Sequence, residues 1–344
     1  MQNKPRLALC LEQTLGHRAH GLNLEAAAAQ AGATVHRVEY EEHPRIRAPW
    51  AVRGSWQAAQ ALRGTAPADV SLFHTSTISL FAGRAQGRYV VSADATGVQL
   101  DAMGAWYQHA RGPAAVERAK RAWYRHVFVQ AAALVAWSKW AARSFVTDYG
   151  VDGSRILVAH PGAPAGFFEL EREYATRRPR VLFVGGDFKR KGGDLLLEAF
   201  APLAKRAELV IVTDAQVPVR PGVRVVSGIR PGTAEQRDVF AAADIFCLPT
   251  RGDCTPVVLG EAMAAGLPVV TTRAGSNGET VRAGETGFLV PADNVAMLSE
   301  SLRALVDDAG LRERLGRNGR SFARERMDAG VNARKVIDWM RAVA

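Results

Sequence analysis

Residues 245–272 read "IFCLPTRGDCTPVVLGEAMAAGLPVVTT". The opening run "IFCLPT" has the length and composition of a buried strand, so that Arg251–Thr255 lies at its carboxyl end. Thr255 is a helix-capping type, and Pro256 suits a first helical position, where its missing N–H costs nothing. Gly266 closes the helix, and Pro268 opens a second apolar run, "PVVTT". Strand, helix and strand in this order form a βαβ unit. Continuous rather than alternating apolar strands belong to parallel sheets covered on both faces.

The same alternation extends in both directions. Upstream lie "PRVLFVGG" (strand), "GDLLLEAFAPLAKR" (helix), "ELVIVTD" and "VRVVSG" (strands) and "TAEQRDVFAAA" (helix); "GFLV" follows as a strand. Near the N-terminus "RLALCLE" reads as a strand and "HRAHGLNLEAAAAQAG" as a helix ending at Gly32. "TVHRVEY", "SLFHT", "RYVVSAD" and "LVAWS" read as further strands, with a helix over 114–133. The stretch 160–179, rich in Pro, Gly and charge, has linker composition. The chain of 344 residues exceeds what one core usually serves. We expect an α/β protein of two doubly wound Rossmann-like domains facing a central cleft. The expected boundaries are 1–165, 166–325 and a final helix, 326–344, crossing back to the first domain. In such sheets ligands bind beyond the carboxyl ends of the strands.

That geometry gives the acids of the opening stretch a place. Asp253 falls between a strand and a helix N-terminus, and Glu261 falls inside that helix. Free N–H groups at a helix start attract anions, and carboxylates accept hydrogen bonds from sugar hydroxyls. The pair therefore suits a sugar nucleotide. A capping Asp and a solvent-facing Glu remain the alternative on these residues alone.

Composition narrows the classes. Hydrophobic residues make up 48% of the chain, and no apolar run reaches the roughly 18–20 residues of a membrane span. The N-terminal "MQNKPRLALCLEQ" lacks a secretory h-region. Three cysteines without metal spacing suit a reducing, cytoplasmic setting. A net charge of +10 suits an anionic partner or a soluble basic surface. "GGDFKRKGG" is not a P-loop, and no G-x-G-x-x-G follows the first strand, which disfavours an ATPase and a dehydrogenase. No Asp-x-Asp cluster is present, so neither metal nor cofactor is expected, and no nucleic-acid partner is expected.

"GDCTPVVLGEAMAAGLPVVTT" resembles the signature segment of the retaining glycosyltransferases of family 4, enzymes of the GT-B fold. That family carries two acids eight apart before an Ala-Met-Ala-x-Gly-x-Pro-Val-Val tail. Asp253 occupies the first acid position, usually Glu, and Glu261 the second. The resemblance implies that Asp253 contacts the donor sugar and that Glu261 holds ribose hydroxyls. Pro256 replaces the family's usual Gly, leaving Thr255, Val257 and Val258 as backbone donors to phosphate. "VLFVGGDFKRKGGDLLLEAF" (181–200) resembles the family's phosphate-binding strand, loop and helix. Lys191 matches its phosphate lysine. Its usual Arg falls on Gly186, so Lys189 or Arg190 takes over that charge. "VSGIRP" resembles the segment touching the base, near Ile229, and "ETVRAGETGFLVPADNVAMLSESLRALVDD" the closing strand and helix. The similarity is strong over about 180–310 and weak in "AWSKWAARSFVTDYGVDGSRILVAHPG".

In the first domain the resemblance places Gly16, in the loop after the first strand, near the diphosphate, and Asp94 close to the reacting sugar; a turn or cap role is the alternative for Asp94. His17 and His20 read as surface histidines or as acceptor contacts. The implied activity is transfer of a sugar from a nucleotide-diphosphate donor to a glycan, lipid or small-molecule acceptor, with retention, as in hexosyltransferases of glycan biosynthesis. Lys191 and the helix start before Val257 would stabilise the departing diphosphate. Catalytic roles fall on Asp94, Asp253 and Lys191. A sugar-nucleotide isomerase, a phosphorylase or a non-catalytic binding protein of the same fold are the alternatives. The segment 105–128 carries Arg111, Arg118, Lys120, Arg121 and Arg125 among Trp106, Tyr107, Trp123 and Tyr124. It suits either peripheral contact with an anionic inner-membrane face or a solvated helix face with Trp123 and Tyr124 in the core. Trp339 and Met340 of the last helix are expected against the first domain.

Overall fold

The computed structural model describes residues 4–39, 49–84, 87–107, 112–174 and 178–344. The chain divides into two compact units, Met1–Pro161 with Ala329–Ala344, and Gly162–Asp328. Arg111 and residues 175–177 of the linker stretch lie outside the described residues.

In the first unit the chain order is β1 (Leu7–Glu12), α1 (Leu15–Ala31), β2 (Thr34–Val38), α2 (Trp50–Arg63), β3 (Val70–Phe73), β4 (Arg88–Ala93), α3 (Gly97–Ala102), α4 (Ala114–Gln130), β5 (Ala133–Ala136), α5 (Lys139–Thr147) and β6 (Ile156–Val158). The strands form one parallel sheet ordered β2-β1-β3-β4-β5-β6. All of β1, β3 and β5 is buried, as sheets covered on both faces require. One face carries Phe73, Tyr89, Phe128 and Phe145. The other carries Leu9, Leu72, Val90 and Val135.

The second unit contains α6 (Ala165–Phe168), β7 (Arg180–Val184), α7 (Gly193–Phe200), β8 (Glu208–Val212), β9 (Val223–Val226), α8 (Ala234–Ala241), β10 (Ile245–Leu248), α9 (Val257–Ala264), β11 (Val269–Thr272), α10 (Asn277–Thr280), β12 (Gly287–Val290), α11 (Val295–Asp307) and α12 (Ala309–Arg326). Its parallel sheet is ordered β12-β11-β10-β7-β8-β9. The core sits on Val181, Leu182, Phe183, Ile211, Phe246 and Met263, with Phe240 and Phe246 stacked at 5.8 Å between centroids.

The last helix, α13 (Ala329–Ala342), packs on α1 within the first unit. Val336, Ile337 and Met340 are buried and Trp339 packs against the same cluster. Each buried aliphatic there contributes about 1.5–3 kcal/mol.

Three local expectations are corrected. The helix expected through Arg206 ends at Phe200 in a 3-10 turn, Ala201–Leu203, because Pro202 has no N–H to continue the ladder. The helix expected over 114–133 ends at Gln130, with Ala131 extended. Helix α9 begins at Val257 with Pro256 as its cap residue, and no side chain caps it. Thr255 instead accepts a hydrogen bond from the Ser276 hydroxyl at 3.1 Å. Among the described residues no helix is long and apolar enough to cross a membrane.

Candidate active site

The strand orders decide where each unit can hold a ligand. A doubly wound sheet opens a crevice where the strand order reverses, beyond the carboxyl ends of two adjacent strands whose connections leave in opposite directions. In the second unit this point lies between β7 and β10, and in the first between β1 and β3.

At the second unit's reversal, the loop after β7 meets the loop after β10. Lys191 donates to one carboxylate oxygen of Asp253, and the Arg190 guanidinium stands 3.9 Å from the other. Both partners of the Lys191–Asp253 pair are mostly buried, with side chains 14% and 10% exposed. Arg190 also donates to the Gly252 carbonyl at 2.8 Å and to Asp187 at 3.1 Å. Arg251 grips the same loop: its guanidinium makes a two-pronged contact with Asp194 at 2.7 and 3.0 Å and donates to Asp293 and to the Lys189 carbonyl, each at 2.6 Å. Such planar, two-pronged pairs fix direction as well as distance.

Two glycines permit this approach. Gly192 has φ +79°, and a Cβ there would lie 2.0 Å from the Pro249 carbonyl oxygen; Gly275 has φ +52°, and a Cβ would lie 2.0 Å from that of Asp253. Only glycine takes both the left-handed backbone and the contact.

Glu261 is buried on α9, and Gln236 of α8 donates to it at 3.0 Å. The Gln236 carbonyl oxygen in turn accepts the Gly232 N–H at 2.7 Å. Burial, against the opposing pull of the Gln236 hydrogen bond, raises the carboxyl to about 7. Glu261 thus changes charge near neutrality.

The first unit's reversal holds a second polar cluster. Glu12 ends β1 with its side chain 2% exposed. One of its oxygens accepts the Thr14 hydroxyl at 2.9 Å and lies 3.2 Å from His17 Nδ1; the other accepts the Thr75 hydroxyl. His17 Nε2 stands 3.7 Å from the carboxylate of Asp94, which follows β4. The His17 ring meets Trp137 edge-on at 5.5 Å, and His20 Nδ1 and His74 Nε2 share a hydrogen bond at 2.9 Å. Burial alone would raise the Glu12 carboxyl and lower the His17 imidazole. The mutual charge of the two groups, with the hydroxyls on Glu12 and Asp94 beside His17, reverses both shifts, so Glu12 is lowered and His17 raised. Burial, then neighbouring imidazole charge, pushes His20 and His74 down. His17 thus stands between the carboxyl groups of Glu12 and Asp94, beside the hydrogen-bonded His20–His74 pair.

Set beside the expected residues, Lys191, Arg190, Asp253, Thr255, Val257 and Glu261 gather on the loops and helices around β7 and β10. Gly186 and Lys189 lie exposed on the same loop, and Val258 is half-buried. Ile229 packs partly buried against the second core, and Gly16 lies in the first turn of α1. A solvent-facing Glu261 is corrected by its burial, and a capping Asp253 by the absence of any cap bond on α9. His20 is buried and His17 only one-fifth exposed, so neither is a surface histidine. Tyr124 is in the core, but Trp123 is half exposed and donates to the Leu80 carbonyl at 3.0 Å. The sequence reading passed over Glu12, His74, Thr75, Gln236 and Arg251. The available signal was position: a polar residue ending an otherwise apolar strand, as in "RLALCLE" and "SLFHT", points to the ligand end of a parallel sheet.

Comparison with known proteins bears out the fold. Residues 178–308 match the family model described as Glycosyl transferases group 1. A D-inositol 3-phosphate glycosyltransferase of Pseudarthrobacter chlorophenolicus is 29% identical over 215 residues, 54% of this chain and 50% of that protein. The chain thus spans about half the length of the curated relatives it matches. Among solved structures, a glycosyltransferase from Rickettsia africae superposes with a TM-score of 0.74 at 14% identity, covering 99% of each chain. Anabaena HepE in complex with UDP and glucose gives 0.72 at 16% identity, covering 99% of this chain and all of its own (100%). The chain therefore has the GT-B fold of two Rossmann-like units, and residues 178–308 are similar to the Glycosyl transferases group 1 family.

Proposed function

We propose that the protein transfers a sugar from a nucleotide-diphosphate donor to a hydroxyl-bearing acceptor with retention of configuration. The observation that carries this reading is the Lys191–Asp253–Arg190 cluster, set at the strand-order reversal of the unit that matches the family. In the reading, the donor diphosphate draws Lys191 and Arg190 from Asp253, and the first-turn N–H groups at Val257 and Val258 add donors, since a helix start leaves such groups unbonded. Gly186 leaves open space at its Cβ position, and Lys189 and Arg190 supply the charge there. Asp253, released, accepts hydroxyls of the donor sugar, Glu261 those of the ribose, and Ile229 flanks the base. The reading also assigns roles to Asp94 and Gly16, which lie within the first unit after β4 and in α1.

The reaction breaks the bond from the anomeric carbon to the diphosphate and forms one to the acceptor oxygen, whose proton leaves with the diphosphate. Lys191 and Arg190 stabilise the charge that grows on the departing oxygen, where fixed charges act most strongly. No metal or cofactor enters this scheme. A thermal-shift panel of nucleotide sugars, UDP-glucose among them, identifies the donor, because a ligand bound by the native state raises the melting temperature. Transfer is then assayed with D-inositol 3-phosphate, the acceptor in the relatives' name, and with simple sugars and lipids. Turnover of donor without acceptor would make the protein an isomerase; binding without turnover would make it a binding protein.

We also propose peripheral contact of α4 with anionic membrane. Arg118 and Trp123 are exposed, while Arg121 and Arg125 donate to the carbonyls of Asp148 and Tyr149 at 2.9 and 3.2 Å. Co-sedimentation with anionic vesicles at low salt, lost on Arg118→Glu, supports it; no binding there removes it.

A further inference from the structure

We propose that Glu12 and His17 are positioning residues that hold the Asp94 carboxylate for a neutral hydroxyl of the acceptor. The proposal rests on the reading that Asp94 acts in the transfer.

The chain of contacts has a closed end and an open one. Glu12 is buried, and both its oxygens are taken by Thr14, Thr75 and His17. Such a carboxylate, with its side chain 2% exposed, is out of a ligand's reach, yet its burial is costly unless a cation compensates it. The group placed to supply it is His17, whose Nδ1 meets the Thr14 hydroxyl at 3.0 Å and Glu12 at 3.2 Å and whose ring is braced edge-on by His74 and Trp137 at 5.9 and 5.5 Å. Its remaining nitrogen faces Asp94, whose side chain is 25% exposed, the most accessible member of the three. The elements come together only in the fold: Glu12 ends β1, His17 lies in the first turns of α1, and Asp94 follows β4. This is the crevice at the sheet's reversal.

Charge selects the ligand class. Glu12, His17 and Asp94 sum to one negative charge. The other titratable groups around them, His20 on α1, His74 after β3 and His160 after β6, are held neutral by burial. An anionic group at Asp94 would be repelled, whereas a hydroxyl donates to it. A phosphorylated acceptor would therefore present a hydroxyl here and carry its phosphate elsewhere.

The test uses the whole chain. Imidazole resonances of isotope-labelled protein are followed against pH. His17 is expected to titrate at least two pH units above the ordinary 6.5, and Glu12→Gln should lower its midpoint by a unit or more. With the donor and acceptor found in the screens, His17→Gln should cut kcat at least tenfold with donor KM within threefold; because it leaves buried Glu12 without its partner it should also lower the melting temperature, so the kinetics are read well below that transition, where circular dichroism shows the variant folded. Asp94→Asn should match it, and the double variant should be no slower than either single one. His17→Gln at wild-type rate with Asp94→Asn impaired overturns the relay and leaves the role of Asp94 standing. Both at wild-type rate overturn the two together. Should no donor and acceptor react, the function proposed above fails and the acceptor role of Asp94 with it; a His17 midpoint near 6.5 would overturn the Glu12–His17 pairing itself.

Discussion

Replacing Glu261 by Gln should stabilise the protein and weaken the donor complex at the same time. Glu261 is 4% exposed, and burial raises its carboxyl to about 7 from an ordinary 4.5. A raised folded value means that the folded state binds the proton more tightly than the unfolded chain. The resulting stability is full below pH 4.5 and is lost as pH rises through 7. Over pH 5 to 8.5 the loss integrates to about 2.5 kcal/mol, from a shift of about 2.5 units at about 1.4 kcal/mol each. Gln keeps the shape, still accepts from Gln236 and does not titrate. The variant's stability relative to wild type should therefore rise by about 2–3 kcal/mol between pH 5 and pH 8.5. Urea unfolding separates this from events in the first unit, because all seven tryptophans lie outside Gly162–Asp328. The transition seen by circular dichroism but silent in tryptophan fluorescence is the one to follow. Donor affinity, measured by calorimetry at pH 8, should fall by about 1.5–3 kcal/mol through lost charge-assisted hydrogen bonds. A stability difference that stays level between the two pH values would refute the reasoning on burial. An unchanged donor affinity would remove Glu261 from the site.

Lys191→Ala should slow transfer on the order of 10²-fold while changing donor affinity less than tenfold, since charge grows in the transition state; steady-state kinetics against calorimetry decides it, and intact turnover would pass the role to Lys189 or Arg190. Gly192→Ala should cost at least about 2 kcal/mol by thermal or urea unfolding, because both the backbone and the Pro249 carbonyl oppose a Cβ. Acidification should unfold the first unit: burial, then the charges of His17 and His160, lower His20 to about 3, and burial lowers His160 to about 4. The unfolded chain binds these protons below 6.5, so on the order of 5 kcal/mol is lost as pH falls from 6.5 to 4, visible as an early change in the fluorescence of Trp137, which packs 4.4 Å from His20.

Local chemistry was enough to write down most of the fold. Apolar runs cut by Pro and Gly gave the strands of the second unit, because a buried parallel strand needs a continuous apolar run and little else. The helix end at Gly266 and the strand start at Pro268 were equally local, whereas the run through Pro249 and Thr250 was carried two residues past the strand's end at Leu248. The same reading missed α2, and also β6, a three-residue edge strand that is only half-buried. It also carried α7 too far past Pro202. For the candidate site, Asp253, Glu261 and Lys191 were singled out by spacing and resemblance. Their state was not. The sequence distance from Lys191 to Asp253 is 62 residues, and only the adjacency of β7 and β10 makes them an ion pair. Gln236 reaches Glu261 across 25 residues, and the burial that brings this acid close to neutrality comes from helices packed around it. Glu12, His17 and Asp94 lie on three separate segments, and His17 read alone is a surface histidine. A pKa is a property of surroundings, set by desolvation and by charges a few ångströms away. Those surroundings exist only once the strand order has brought distant residues to one end of a sheet.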